Sequence, residues 1–139
     1  MSVETYQGSC HCGAIRFEAD IDLEEGSNRC NCSYCAKGRA WFVFAKGPQR
    51  LRLLHGEGVS EYRWTPPGEA EPHLTFTFCR TCGVRTFAKG HLEHLGGVFH
   101  AVSVPTLDLP PEKVAAIPVN YLNGREGRYD QEPPFPQAI

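Results

Sequence analysis

The sequence predicts an all-β fold of short antiparallel strands with little helix. Three observations carry that reading. Residues 14–20 alternate, with Ile15, Phe17 and Ala19 on one side and Arg16, Glu18 and Asp20 on the other, the period-two pattern of a half-buried strand. Leu74, Phe76 and Phe78 interleaved with Thr75 and Thr77 repeat the pattern. Gly or Pro bounds each apolar run, and extended helical periodicity is thin.

Between and after these two strands the elements follow in order. Residues 33–40 hold a helical turn or two. Residues 41–45 form an aromatic and β-branched run, and 59–64 are strand-like. Residues 65–72, with three prolines and a glycine, cannot keep a regular ladder and predict an exposed loop. Residues 97–104 are β-rich and largely apolar. Pro110 and Pro111 suit the first positions of a short helix over 112–116. The Pro-rich tail, 123–139, reads as an extended segment draped over the body.

With 139 residues, 41% of them hydrophobic, the chain has the profile of a single domain spanning 1–139. Folding at this size removes roughly 68% of the unfolded chain's surface from water, so a core forms without disulfide staples. The seven cysteines need another explanation. Lys and Arg total 14 against 16 Asp and Glu, with no basic run, which argues against nucleic-acid partners. Residues 1–8 are polar and no window approaches the ~18 apolar residues of a membrane span. The expectation is an unexported, cytoplasmic protein with no membrane association.

The cysteines fall in three clusters: Cys10-His11-Cys12, Cys30-Asn31-Cys32-Ser33-Tyr34-Cys35 and Cys79-Arg80-Thr81-Cys82. In a reducing compartment, thiols at such spacing favour metal over disulfides, and an odd number cannot pair completely within one chain. A C-x-x-C turn followed by Gly83 lets two sulfurs converge while backbone N–H groups face the thiolates, and Cys10-His11-Cys12-Gly13 has a similar form. Two such pairs complete a tetrahedral site, so Cys10, Cys12, Cys79 and Cys82 are assigned to one closed, structural Zn²⁺. Its binding would contribute on the order of 10 kcal/mol, comparable to the stability of a small domain. The competing reading is free cysteines packed as small apolar groups.

Cys30, Cys32 and Cys35 remain, three ligands where zinc takes four. Three protein ligands and an open position mark a reactive site. A side chain could instead supply the fourth ligand, and a bare redox couple of Cys32 and Cys35 is a further alternative. Among the histidines, His11 lies between two ligands of the other set and His100 reads as a satisfied core residue. His55, His73, His91 and His94 lie in polar, loop-like stretches. Three thiolates around Zn²⁺ give the second site a charge of about −1 and make its ion a poor Lewis acid for water. An incoming thiol is the better match, kept as thiolate and aimed at an electrophilic carbon.

The stretches Gly8-Ser9-Cys10-His11-Cys12-Gly13-Ala14-Ile15-Arg16-Phe17, 30–35 and Phe78-Cys79-Arg80-Thr81-Cys82-Gly83-Val84 closely resemble the glutathione-dependent formaldehyde-activating enzyme family, which also includes centromere protein V. With a looser likeness at 96–102 and at Leu107-Asp108, the resemblance covers residues 6 to about 108. It implies a zinc-pinned β-tent sandwich carrying two zinc ions. One is structural, on Cys10, Cys12, Cys79 and Cys82, and one is catalytic, on Cys30, Cys32 and Cys35. It implies a carbon–sulfur lyase activity, with glutathione adding to formaldehyde to give S-hydroxymethylglutathione, or the reverse.

An anionic thiol such as glutathione would want cations near the open zinc. Lys37 and Arg39 are the expected binding residues. Trp41 and Phe42 could wall the pocket, and Arg80 or Arg85 could approach from the other hairpin. Each also has an ordinary reading, as a solvated charge or a core aromatic. The rival functional class is a non-catalytic zinc module that binds a protein partner, with its second ion closed.

Overall fold

A computed structural model describes residues 2–72 and 74–139, so His73 lies outside the described residues. The alternation at 14–20 becomes β2 (Ile15–Ile21), which pairs antiparallel on one edge with β1 (Glu4–Ser9) and on the other with β5 (Leu51–Gly56). The second sheet has seven strands: β3 (Ser27–Cys30), β4 (Trp41–Lys46), β6 (Val59–Tyr62), β7 (Leu74–Cys79), β8 (Arg85–Leu92), β9 (Gly97–Ser103) and β10 (Val119–Leu122). Their order is β10-β3-β4-β9-β8-β7-β6. The helices are short, α1 (Ser33–Gly38) and α2 (Pro111–Ala115). None is long and apolar enough to cross a membrane.

The two sheets close on one core. Ile15, Phe17, Ala19 and Ile21, the apolar half of β2, are buried against Val43 and Ala45 of β4 and Val102 of β9. Phe17 meets Phe87 edge to face, centroids 5.7 Å apart. A fully buried phenylalanine of this kind stabilises a fold by about 3–5 kcal/mol relative to alanine. Across the β2–β5 ladder, Arg52 bonds Glu18 at 2.8 Å and Asp20 at 2.8 Å, tying the solvent side of the smaller sheet.

The expected all-β fold with little helix is what the structure shows. Its strands pair antiparallel except for β10, which runs parallel to β3 with Leu122 opposite Cys30. A parallel pair cannot be made by a tight turn and leaves no hairpin signal in the sequence. The tail is not simply extended: it makes short 3-10 turns at Gly124–Glu126 and Pro136–Ala138. It also folds back on itself through Asn123 N–H to the Gln131 carbonyl at 3.2 Å and Arg128 N–H to the Asn123 carbonyl at 2.9 Å. Finally, His100 is not a satisfied core histidine, since its Nδ1 is buried without a hydrogen-bond partner among the described residues. Burial, and then the charge of Lys89, hold its imidazole down to about 4.

Candidate metal centres

The first cluster is built from two hairpin turns, one in each sheet. The β1–β2 turn carries Cys10 and Cys12, and Cys79 N–H donates to the Val84 carbonyl at 3.0 Å to close the β7–β8 turn. Gly13 and Gly83 follow with φ of +83° and +79°, left-handed values that glycine adopts without strain. Backbone N–H groups then face the sulfurs. Ile15 N–H points at Cys10 Sγ at 3.3 Å, and Thr81 N–H at Cys79 Sγ at 3.4 Å. Such donors favour thiolate: the Val84 N–H and then the Cys12 N–H pull the Cys82 thiol down to about 6.

The sulfur spacing fits a tetrahedral ion. All four atoms lie within 4.8 Å of one another. Cys10 and Cys12 are 3.7 Å apart and Cys12 and Cys79 are 3.6 Å apart. Zn–S bonds of about 2.3 Å give a tetrahedral edge of roughly 3.8 Å. Cys10 and Cys79 are fully buried while Cys12 reaches the surface.

The second cluster comes from one continuous stretch. Cys30 ends β3, Cys32 caps the N-terminus of α1 by accepting from Cys35 N–H at 3.4 Å, and Cys35 sits within the helix. Cys32 N–H donates to Cys30 Sγ at 3.4 Å. The three sulfurs lie within 4.8 Å of one another, and among the described residues no His, Asp or Glu joins them. Hydrogen bonds from the Cys30 and Cys35 thiols draw Cys32 down to about 2, and the same contacts with Cys30 and Cys32 push Cys35 up. Negative charge therefore collects on Cys32, the half-exposed member, in a donor set suited to a soft cation.

The residues expected around this cluster divide. Lys37 lines a groove of about 380 Å³ together with Ser33, Tyr34, Tyr62, Trp64 and Arg85. Ser33 and Lys37, four apart, present a different face of α1 from Cys32 and Cys35, three apart. Arg85 lies over the Tyr34 ring at 5.6 Å. Arg39 instead donates to the Ala138 carbonyl at 3.1 Å, pinning the tail. Arg80 bonds the Glu57 carbonyl, and Phe42 packs on Phe44. Trp41 donates from its indole to Ser27 Oγ at 2.7 Å, and Arg29 covers its ring at 4.5 Å.

The tail supplies what sequence reasoning missed. Asn31, between two of the cysteines, donates from its side chain to Asn123 Oδ1 at 3.0 Å and accepts from Arg125 N–H at 2.8 Å. Its own N–H donates to the Leu122 carbonyl at 3.2 Å, and its carbonyl accepts from Arg125 Nε at 3.1 Å. Gly124 packs directly on Cys30: a methyl group there would lie 2.4 Å from Cys30 Sγ. Tyr129 lies beside Gly124. Burial raises its phenol, and the charges of Cys30, Cys32 and Cys35 add to the shift. Only the Asn-Gly pair at 123–124 hinted at a turn, and nothing local pointed to Cys30.

The family model of glutathione-dependent formaldehyde-activating enzyme matches residues 5–121 and so takes in all seven cysteines. The chain belongs to this family. A Halomonas elongata protein provisionally named as a glutathione-dependent formaldehyde-activating enzyme is 35% identical over 85 residues, covering 55% of this chain and 50% of that one. The match thus spans about half the length of that curated relative. A crystal structure of a Rhodobacter sphaeroides protein superposes with a TM-score of 0.64 at 26% identity, covering 82% of this chain and 99% of that one. The family match ends before the tail that packs on Cys30.

Proposed function

We propose that the chain is a zinc-dependent carbon–sulfur lyase that forms or cleaves a thiol–aldehyde adduct such as S-hydroxymethylglutathione. The observation that carries this reading is the unequal count of sulfurs, four in one cluster and three in the other. Cys10, Cys12, Cys79 and Cys82 would hold a structural zinc with a complete ligand set. Cys30, Cys32 and Cys35 would hold the catalytic one, which when bound supplies a soft anchor that keeps a substrate thiol as thiolate.

The protein's own groups do the rest. The N–H groups of Cys32 and Cys35 stabilise the cluster's negative charge and fix the direction of the sulfurs. Lys37 and Arg85 place cations on the groove beside α1, where carboxylates of a glutathione-like thiol would settle. Arg39 contributes indirectly by holding the tail. Both family membership and the name of the Halomonas relative support glutathione and formaldehyde as the substrate pair. In this reading, 1–139 acts as one domain in the cytoplasm.

Purified protein mixed with glutathione and formaldehyde, followed by exchange NMR, tests the reading. Adduct exchange well above the buffer rate is expected, and a rate equal to buffer would remove the formaldehyde assignment. A cobalt-substituted sample should change its visible spectrum on addition of glutathione. An unchanged spectrum indicates a closed second site and the protein-binding module instead.

A further inference from the structure

We infer that Tyr129 is the proton donor to the aldehyde oxygen when a thiol adds at the Cys30, Cys32 and Cys35 cluster, and recovers that proton when the adduct splits. The inference rests on the thiol–aldehyde chemistry proposed above. It assigns a role to a residue outside the matched family segment.

Geometry carries it. A methyl group at Gly124 would stand 2.4 Å from Cys30 Sγ and 3.2 Å from the Tyr129 hydroxyl, so those two atoms are at most about 5.6 Å apart. That proximity sets the phenol beside the cluster, within reach of the oxygen of an aldehyde joined to a thiol held there. The loop that carries Tyr129 is indexed to the cluster by the bonds of Asn123 and Arg125 to Asn31. Arg128 N–H donates to the Asn123 carbonyl at 2.9 Å and carries that anchoring to the residue before Tyr129, so the loop is not a free tail. Among the described residues no hydrogen bond occupies its hydroxyl, and no His, Asp or Glu joins the cluster to do the same work. Tyr129 is 59% exposed, so its proton exchanges with water.

The step balances. A lone pair on the thiolate sulfur forms the C–S bond, the C=O π pair moves onto oxygen, and that oxygen takes the phenolic proton. Water returns a proton to the phenolate. In reverse, the phenolate takes the hydroxyl proton as the C–S bond breaks and the carbonyl re-forms. Burial holds the Tyr129 phenol above its ordinary value, so it is protonated at neutral pH and able to donate.

The deciding variant is Tyr129→Phe, which removes one hydroxyl from an exposed side chain. Adduct exchange should fall about 100-fold, while calorimetric glutathione binding and metal content stay at wild-type values. A rate within twofold of an active wild type removes the role alone. Exchange at the buffer rate in the wild type removes the parent reaction and this role with it. As an independent readout, 3-fluorotyrosine at position 129 should shift its ¹⁹F resonance on glutathione addition. It should also move the high-pH limb of the rate profile to lower pH, as the more acidic phenol requires. A resonance unmoved by glutathione, or a pH limb that stays in place, overturns the proposal.

Discussion

Cys10, Cys12, Cys79 and Cys82 hang from hairpin turns in different sheets, with Cys12 and Cys79 separated by 67 positions in the chain. Cys30, Cys32 and Cys35 come from a single run of six residues and need no long closure to meet. A metal on the first cluster therefore closes a long loop and joins two sheets, whereas one on the second orders only a strand end and the first turn of α1. The second cluster is braced from outside, by the tail on Asn31 and Gly124 on Cys30. The first cluster has its rigidity in the two sheets, and the second borrows rigidity from the tail.

The sharpest way to break this contrast is to remove one ligand from each cluster. Cys79→Ala should cost on the order of 10 kcal/mol of metal-linked stability and abolish the cooperative thermal transition. Cys32→Ala should lower metal content from two ions to one, keep the melt, and bring adduct exchange to the buffer rate. Equal losses of melting temperature in the two variants would erase the distinction.

Gly124→Ala probes the brace. Its methyl group meets Cys30 Sγ, so the tail or the sulfur must shift, at a cost of about 1–3 kcal/mol. In a chelator competition the second metal should leave faster and the first at its usual rate. Loss of both ions together would show the clusters to be one unit.

Acid tests the framework beneath both sites. The folded chain holds His100 neutral down to about 4, while the unfolded chain takes up that proton near 6.5. Stability is thus complete above pH 6.5 and declines as pH falls from there toward 4. Denaturant melts of the wild type and His100→Phe across this range isolate the effect from acid release of metal, and equal slopes would exclude it. The smallest effect belongs to the β2–β5 ladder. Arg52, with Thr5 after it, holds the Asp20 carboxyl down to about 2, so its contribution is present above pH 4 and lost as pH falls toward 2. Asp20→Asn should cost about 0.5–1 kcal/mol at neutral pH, read from urea midpoints, and leave both metals in place.

Elements with strong local signals were legible. The alternation at 14–20 became β2, Pro111 opened α2, and the loop at 65–72 stayed free of strand. Strand β1 is polar on an edge, β3 has only four residues, and β5 exposes Leu53 and Leu54, so none shows the alternation of a half-buried strand. In the candidate site the cysteine spacing was visible, Lys37 was placed on a groove, and Arg39 and Trp41 were drawn into structural contacts.

The sequence by itself determined the three cysteine knuckles and the β alternation, because turn geometry, N–H donation to sulfur and side-chain periodicity all act within a few residues. Only the tertiary structure decided that β10 lies beside β3 and that the tail therefore reaches Cys30, bringing Gly124 and Tyr129 to the second cluster. Those contacts join positions about 90 residues apart, and their energy comes from pairing and burial that exist only once the sheet is assembled.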